Sequence, residues 1–204
     1  MSAQSTLDGA TLVERVTRPA LVGSGPAESN PLDDITINDG FYHIVQDIGG
    51  ETLKGTYQDS SNFKFWMQPN ADHNATVWYF TRQWAIKNSF TIATLNTKLY
   101  DHPPTAGSLQ FNYTQGTISL NSAMFSRACF ILRCDESNTY RLEDGSTKTI
   151  NYFRMSVPSD TPPPVLDTES SSAERRTVNM SKDETWDPIS PRQLFRFERV
   201  EQPL

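Results

Sequence analysis

Apolar and polar residues alternate in short stretches through most of this chain, a period that belongs to strands and not to helices. In one stretch Phe63, Phe65 and Met67 fall on one side, while Lys64, Trp66 and Gln68 fall on the other. The same alternation groups Trp78 with Phe80, Phe130 with Leu132 and Phe195 with Phe197, and these are the expected core positions. Three stretches also end alike, in Trp78-Tyr79-Phe80, Phe130-Ile131-Leu132 and Phe195-Arg196-Phe197. A hydrophobic closing element that recurs three times predicts a threefold internal repeat around one core.

Turn residues separate the strand candidates. Asn38-Asp39-Gly40 leads into Phe41-Tyr42-His43-Ile44-Val45, and Glu51–Tyr57 and Asn62–Gln68 follow. Thr76–Arg82, Trp84–Leu95, Lys98–Tyr100, Ser108–Tyr113, Thr117–Leu120, Arg127–Cys134, Thr139–Glu143, Thr149–Val157 and Leu194–Val200 complete the series. About twelve short strands with no amphipathic helix predict an all-β sandwich or barrel.

Two regions break the rhythm. Residues 1–37, rich in Ser, Ala, Gly and Pro, read as a flexible N-terminal segment, with a short helix over Thr11–Val16 as the lesser reading. Residues 158–190 carry Pro158, Pro162, Pro163 and Pro164, a serine run and Glu174-Arg175-Arg176, and read as a long exposed loop. Because Phe195 and Phe197 read as core, that loop must return to the body. One domain over 38–204, preceded by a tail, is the expectation, and 204 residues suffice for a sizeable core.

A net charge of −6 disfavours nucleic acid, since phosphate binding needs a surplus of Lys and Arg. No apolar leader and no run of transmembrane length is visible, so the chain reads as soluble and cytoplasmic, with non-classical secretion as the other route and no membrane partner. Asn74-Ala-Thr76, Asn112-Tyr-Thr114 and Asn179-Met-Ser181 match the glycosylation sequon, which carries little weight without a secretory signal. In one extended strand Cys129 and Cys134 would lie roughly 16 Å apart, too far for a disulfide. The core must hold the fold alone, as in a reducing compartment.

Gly40-Phe41-Tyr42-His43-Ile44 resembles the Gly-x-Tyr-x-Ile strand that opens each repeat of ricin B-type β-trefoil lectins. Gly49-Gly50-Glu51-Thr52-Leu53 resembles the Gly-x-x-Leu second strand, and Phe65-Trp66-Met67-Gln68-Pro69-Asn70 the third strand and its loop. The closing Gln-x-Trp element is echoed by Thr76-Val77-Trp78, Ala128-Cys129-Phe130 and Gln193-Leu194-Phe195, the last resembling fungal members through Arg196-Phe197-Glu198-Arg199. The closing elements lie about 52 and about 65 residues apart, beyond the usual repeat of about 40 to 45, and an insertion over 158–190 would account for the excess. The resemblance implies a β-trefoil that binds glycans without a cofactor and without catalysis.

It also implies where sugars would sit. Family pockets pair an Asp after the second strand's Leu with an aromatic on the third strand and a nearby Asn or Gln. A ring face packs on the pyranose, and short polar side chains take its hydroxyls. Trp66 and Asn70 match, but position 54 is Lys, so Asp47, Asp72 or Asn74 would have to supply the acceptor. In the second unit Asp101, one place late in Leu99-Tyr100-Asp101, and Tyr113 are the candidates. In the third, Val165-Leu166-Asp167 fits the pattern from within 158–190.

Enzyme chemistry finds no foothold. His43, His73 and His102 stand singly without metal-ligand spacing. The cysteines lack CxxC spacing, and no Gly-x-Ser-x-Gly elbow or phosphate loop occurs. Asp33-Asp34 and Asp135-Glu136 read as solvated turn charges. The alternative to a lectin is a protein-binding or protease-inhibiting trefoil acting through loops 100–107 and 158–190. A third reading is a lipocalin-like barrel around an apolar ligand.

Overall fold

The computed structural model describes residues 9–18, 29–58, 64–69, 75–84, 86–95, 106–112, 117–121, 129–158, 164–170, 174–181 and 189–201. Within these the chain is all-β and antiparallel, with two short 3₁₀ turns and no α-helix. The strands are β1 (Thr11–Thr17), β2 (Gly40–Ile48), β3 (Glu51–Gln58), β4 (Lys64–Pro69), β5 (Trp78–Gln83), β6 (Ser89–Leu95) and β7 (Ala106–Asn112). They continue as β8 (Thr117–Asn121), β9 (Phe130–Arg141), β10 (Thr147–Ser156), β11 (Val165–Thr168), β12 (Arg176–Ser181) and β13 (Arg196–Val200).

The pairings come in three sets. β2 pairs with β3, β5 and β13; β6 pairs with β5, β7 and β9. β10 pairs with β9 and β11 and meets Phe195, just before β13, through a bridge at Phe153. Three hairpins, β3–β4, β7–β8 and β11–β12, touch one another through β12–β4, β12–β8 and β4–β8.

Aromatic residues explain why the sets close alike. Trp78 stands opposite Tyr42, Phe130 opposite Phe90, and Phe195 opposite Phe153. All six are buried in one core with Ile44, Ile92 and Met155, each two residues after its opening aromatic. Cross-strand aromatic pairs and their burial supply much of a sheet's stability. The expected core residues Phe65, Met67, Trp78, Phe80, Phe130, Leu132 and Phe195 are all there, and Phe197 packs half-buried against them. Phe63 and the Lys98–Tyr100 strand lie outside the described residues.

Four expectations are corrected. The segment read as a flexible tail contains β1, paired along β9, and a 3₁₀ turn at Pro31–Asp34 that places Leu32 in the core. Asn30 caps that turn by accepting from the Leu32 amide at 2.9 Å, and Pro31 begins it. The described part of 158–190 holds β11 and β12, whose Leu166 and Val178 are core residues, so it is no exposed excursion. The two strands expected at Arg127–Cys134 and Thr139–Glu143 are not separate: Phe130–Cys134 and Thr139–Arg141 belong to one strand, the twelve-residue β9.

The fourth correction concerns Asp135. Between Tyr152 and Phe153 the β9–β10 register shifts, leaving Asp135 as the extra residue of a bulge. A bulge turns consecutive side chains to the same side, and both Cys134 and Asp135 are buried. Asp135 is therefore no solvated turn charge. Arg18 Nε donates to it at 3.0 Å, Arg133 Nε at 2.8 Å, and the buried Arg154 closes the cluster. Arg18 also reaches Asp33 at 2.7 Å, so that it links the 3₁₀ turn to Asp135 of β9. Both cysteines are free, and burial followed by the charge of Asp135 pushes the Cys134 thiol up to about 12.

Candidate functional site

Strand alternation decides which side chains of the first unit are available. Register places Leu53, Gly55, Phe65 and Met67 on the core side. Gly55 is required there, because a Cβ would lie 2.8 Å from Phe65 Cε2. On the other face stand Asp47 on β2, Thr52, Lys54 and Thr56 on β3, and Trp66 and Gln68 on β4. Trp66 is half-buried, opposite Thr56 on one side and Thr177 of β12 on the other. Gln68 stands opposite Lys54. Beyond Thr177, the Glu169 amide donates to its carbonyl at 2.9 Å, and Asn179 Nδ2 donates to Glu169 at 3.1 Å.

This arrangement sets an indole among polar side chains on three paired strands, with Thr56 buried on one side of it and Thr177 half-buried on the other. An indole offers an apolar face to a ring, and hydroxyl, amide and ammonium groups beside it can exchange hydrogen bonds with ring substituents. The strands hold both in place before any ligand arrives, which lowers the ordering cost of binding.

Asp47 shares the face but not the task expected of it. Its carboxylate accepts from Thr52 Oγ1 at 2.8 Å, from Tyr152 Oη at 2.9 Å, and from Arg196 at 2.7 Å and 3.3 Å. Those four contacts fill the acceptor sites of a carboxylate, and the side chain is only 7% exposed. Burial alone would raise its pKa, but the hydrogen bonds and charge of Arg196, with Thr52 and Tyr152, bring it below the ordinary value. Arg196 also binds Glu198, which lies 3.9 Å from Lys54. Asp47 is thus a structural clamp.

The remaining expected positions divide clearly. Asn70, Asp72, Asn74, Asp101 and Tyr113 lie outside the described residues. Asp167 is on β11 with Leu166 inward, as the Leu-Asp pattern implies, and it accepts from Gln193 Nε2 at 3.0 Å beside Arg192 at 3.5 Å. His43 Nδ1 sits 3.2 Å from the Thr76 carbonyl.

Trp84, expected to open a strand running to Leu95, lies instead in the turn between β5 and β6 and is 93% exposed, while the strand begins at Ser89. Nearby, Asn88 takes a left-handed φ of 58°, and Arg82 of β5 donates to the Ile37 carbonyl at 2.9 Å. The signal for Trp84 was a tryptophan beside Gln83 at the end of the alternation, where an inward position was no longer on offer.

No family model, no curated protein and no solved structure matches the chain. Among the described residues no helix is long and apolar enough to cross a membrane.

Proposed function

We propose that this protein is a β-trefoil of the ricin B-like type that binds carbohydrate, without catalysis, through the face presented by Trp66. The observation that carries the reading is the half-buried side chain of Trp66 between Thr56 and Thr177, with Gln68 and Lys54 in the next row. The trefoil part of the proposal is supported by three sets of pairings, each closed by an aromatic opposite an aromatic, and by three hairpins that meet one another.

The chemistry differs from the family pattern in one respect. With Lys54 where an Asp is usual and Asp47 consumed by Arg196, the acceptors on this face are amide and hydroxyl oxygens. Gln68 and Thr177 would take the sugar's hydroxyl protons, and Lys54 would donate. Neutral acceptors bind hydroxyls less strongly than a carboxylate does, so the proposal is for weak single-site affinity.

A glycan array probed with the wild type and with Trp66→Ala tests this. The expected result is a specific signal that disappears in the folded variant. Equal signals from the two proteins, or none from the wild type, would remove Trp66 from any sugar site.

A further inference from the structure

At one end of the molecule a bare tryptophan and an open groove lie close together. The turn after β5 presents Trp84, 93% exposed, and Ile86, 40% exposed. Backbone hydrogen bonds fix the base of that turn. The Ser89 amide donates to the Ile86 carbonyl at 3.2 Å, and the Leu132 amide of β9 donates to the Asn88 carbonyl at 2.9 Å. An indole left in water adds nothing to the fold, whereas covering it with a partner removes a large apolar surface from water.

The groove, of ≈590 Å³, is lined by Gly40, Phe41, Arg199, Val200 and Glu201. Register puts Arg199 on the face of Tyr42 and turns the side chains of Phe41 and Val200 to the other face. Gly40 shares the Arg199 face. A Cβ there would lie 3.6 Å from Tyr42 Cε2 and 3.7 Å from Arg199 Nη2, so the glycine keeps that space open. Arg199 and Glu201 are exposed and make no hydrogen bond or ion pair among the described residues. Tyr42 is buried, so the groove supplies a guanidinium and a carboxylate but no exposed ring.

Trp84 offers what the groove lacks. A guanidinium packs on an indole face, the most favourable of the cation–π pairs, and an indole N–H is a donor that a carboxylate can take. Both halves sit at the same end. Gly40 stands opposite Phe80 of β5, and the Arg82 amide donates to Asp39 at 2.9 Å, so the β5–β6 turn leaves the body beside the start of β2. A surface that carries both a knob and its socket can meet a copy of itself about a two-fold axis, with both contacts made at once.

We propose that two copies of this chain associate through this end, each placing Trp84 in the other's groove, over Arg199 and with its indole N–H on Glu201. Two insertions on so small a patch make a weak, concentration-dependent pair and not an obligate dimer. Such a pair carries two Trp66 faces, which raises avidity for a multivalent glycan without any new sugar contact.

Sedimentation velocity of the full chain, from micromolar to millimolar concentration, tests this. The wild type should pass from monomer to dimer. Trp84→Ala and Arg199→Glu, each checked for folding by circular dichroism, should weaken association about tenfold or more, as loss of a tryptophan anchor or of the cation over it would. An equimolar mixture of the two variants should associate better than either alone, because Trp84 of one meets the intact groove of the other. In ¹⁵N spectra the Trp84 indole signal should move with concentration in the wild type and stay fixed in Arg199→Glu. A wild type that remains monomeric, association that Arg199→Glu leaves unchanged, or a mixture no better than its parts would overturn the proposal. The carbohydrate reading stands or falls apart from it, since Trp66→Ala should associate as the wild type does.

Discussion

The two ends of the β2–β13 ribbon treat charge in opposite ways. At one end Asp47, Arg196, Glu198 and Lys54 form a chain of ion pairs, reinforced by Tyr152 and Thr52. At the other, Arg199 lies beside Gly40 on the face of Tyr42, and the side chains of Arg199 and Glu201 have no such ion pairs among the described residues. Four acidic and basic groups in mutual contact hold strands together and have little left to offer a ligand. Two exposed groups kept apart contribute little to the fold. The difference separates residues that build the protein from residues that can meet a partner, on strands of the same sheet.

The largest expected effect breaks the closed end. Arg196→Ala would leave the carboxylate of Asp47 buried without its cation, and loss of one partner from a buried pair should cost about 3 kcal/mol. Urea unfolding would read this as a lower midpoint at unchanged slope. Asp47→Asn keeps the shape and two donors' worth of contact, so its cost should be smaller, about 1.5 kcal/mol.

Acid titration sharpens the same point. The Asp47 pKa is lower in the folded chain than its ordinary value of 3.8. Its stabilisation is therefore complete above that value and is lost as pH falls through the lower folded-state pKa. Stability of the wild type should decline as pH drops below 3.8, and Asp47→Asn should decline less over that window.

At the open end the expected effects on stability are near zero. Arg199→Gln and Glu201→Gln should each stay within about 0.5 kcal/mol of the wild type, whatever they do to association between copies. A larger loss from either would mean that these charges do hold the fold, and the comparison would fail. Thiol chemistry provides a smaller, independent reading of closure. With Cys134 buried and its pKa raised to about 12, a thiol reagent at pH 8 should modify the half-buried Cys129 first and reach Cys134 only on unfolding.

The triplets at Trp78, Phe130 and Phe195 were legible because alternation reports which side of a strand is buried, and their partners Tyr42, Phe90 and Phe153 follow the same rule. β11 was not, since its four residues follow a run of prolines and are too short to show a period. β1 hid for another reason. Its side chains are mostly exposed, and it is held by backbone pairing and by Arg15 and Arg18, not by an apolar stripe. The bulge at Asp135 breaks alternation where the charge enters the core, so the sequence showed two acids in a row and nothing more. For the site, the outward face of Trp66 could be read from Phe65 and Met67. The role of Asp47 could not, because its clamp, Arg196, is 149 residues away.

That separation has a kinetic side. β13 pairs with β2 and Phe195 with Phe153, so the earliest strand of the first set waits for the latest strand of the third. Contacts between residues so distant in sequence slow folding, because long loops must close before they are rewarded. During synthesis one edge of β2, including Phe41 and Ile44, has no partner until residues 196–200 have left the ribosome. A nascent chain at that stage presents an open apolar strand edge and is at its most vulnerable to aggregation.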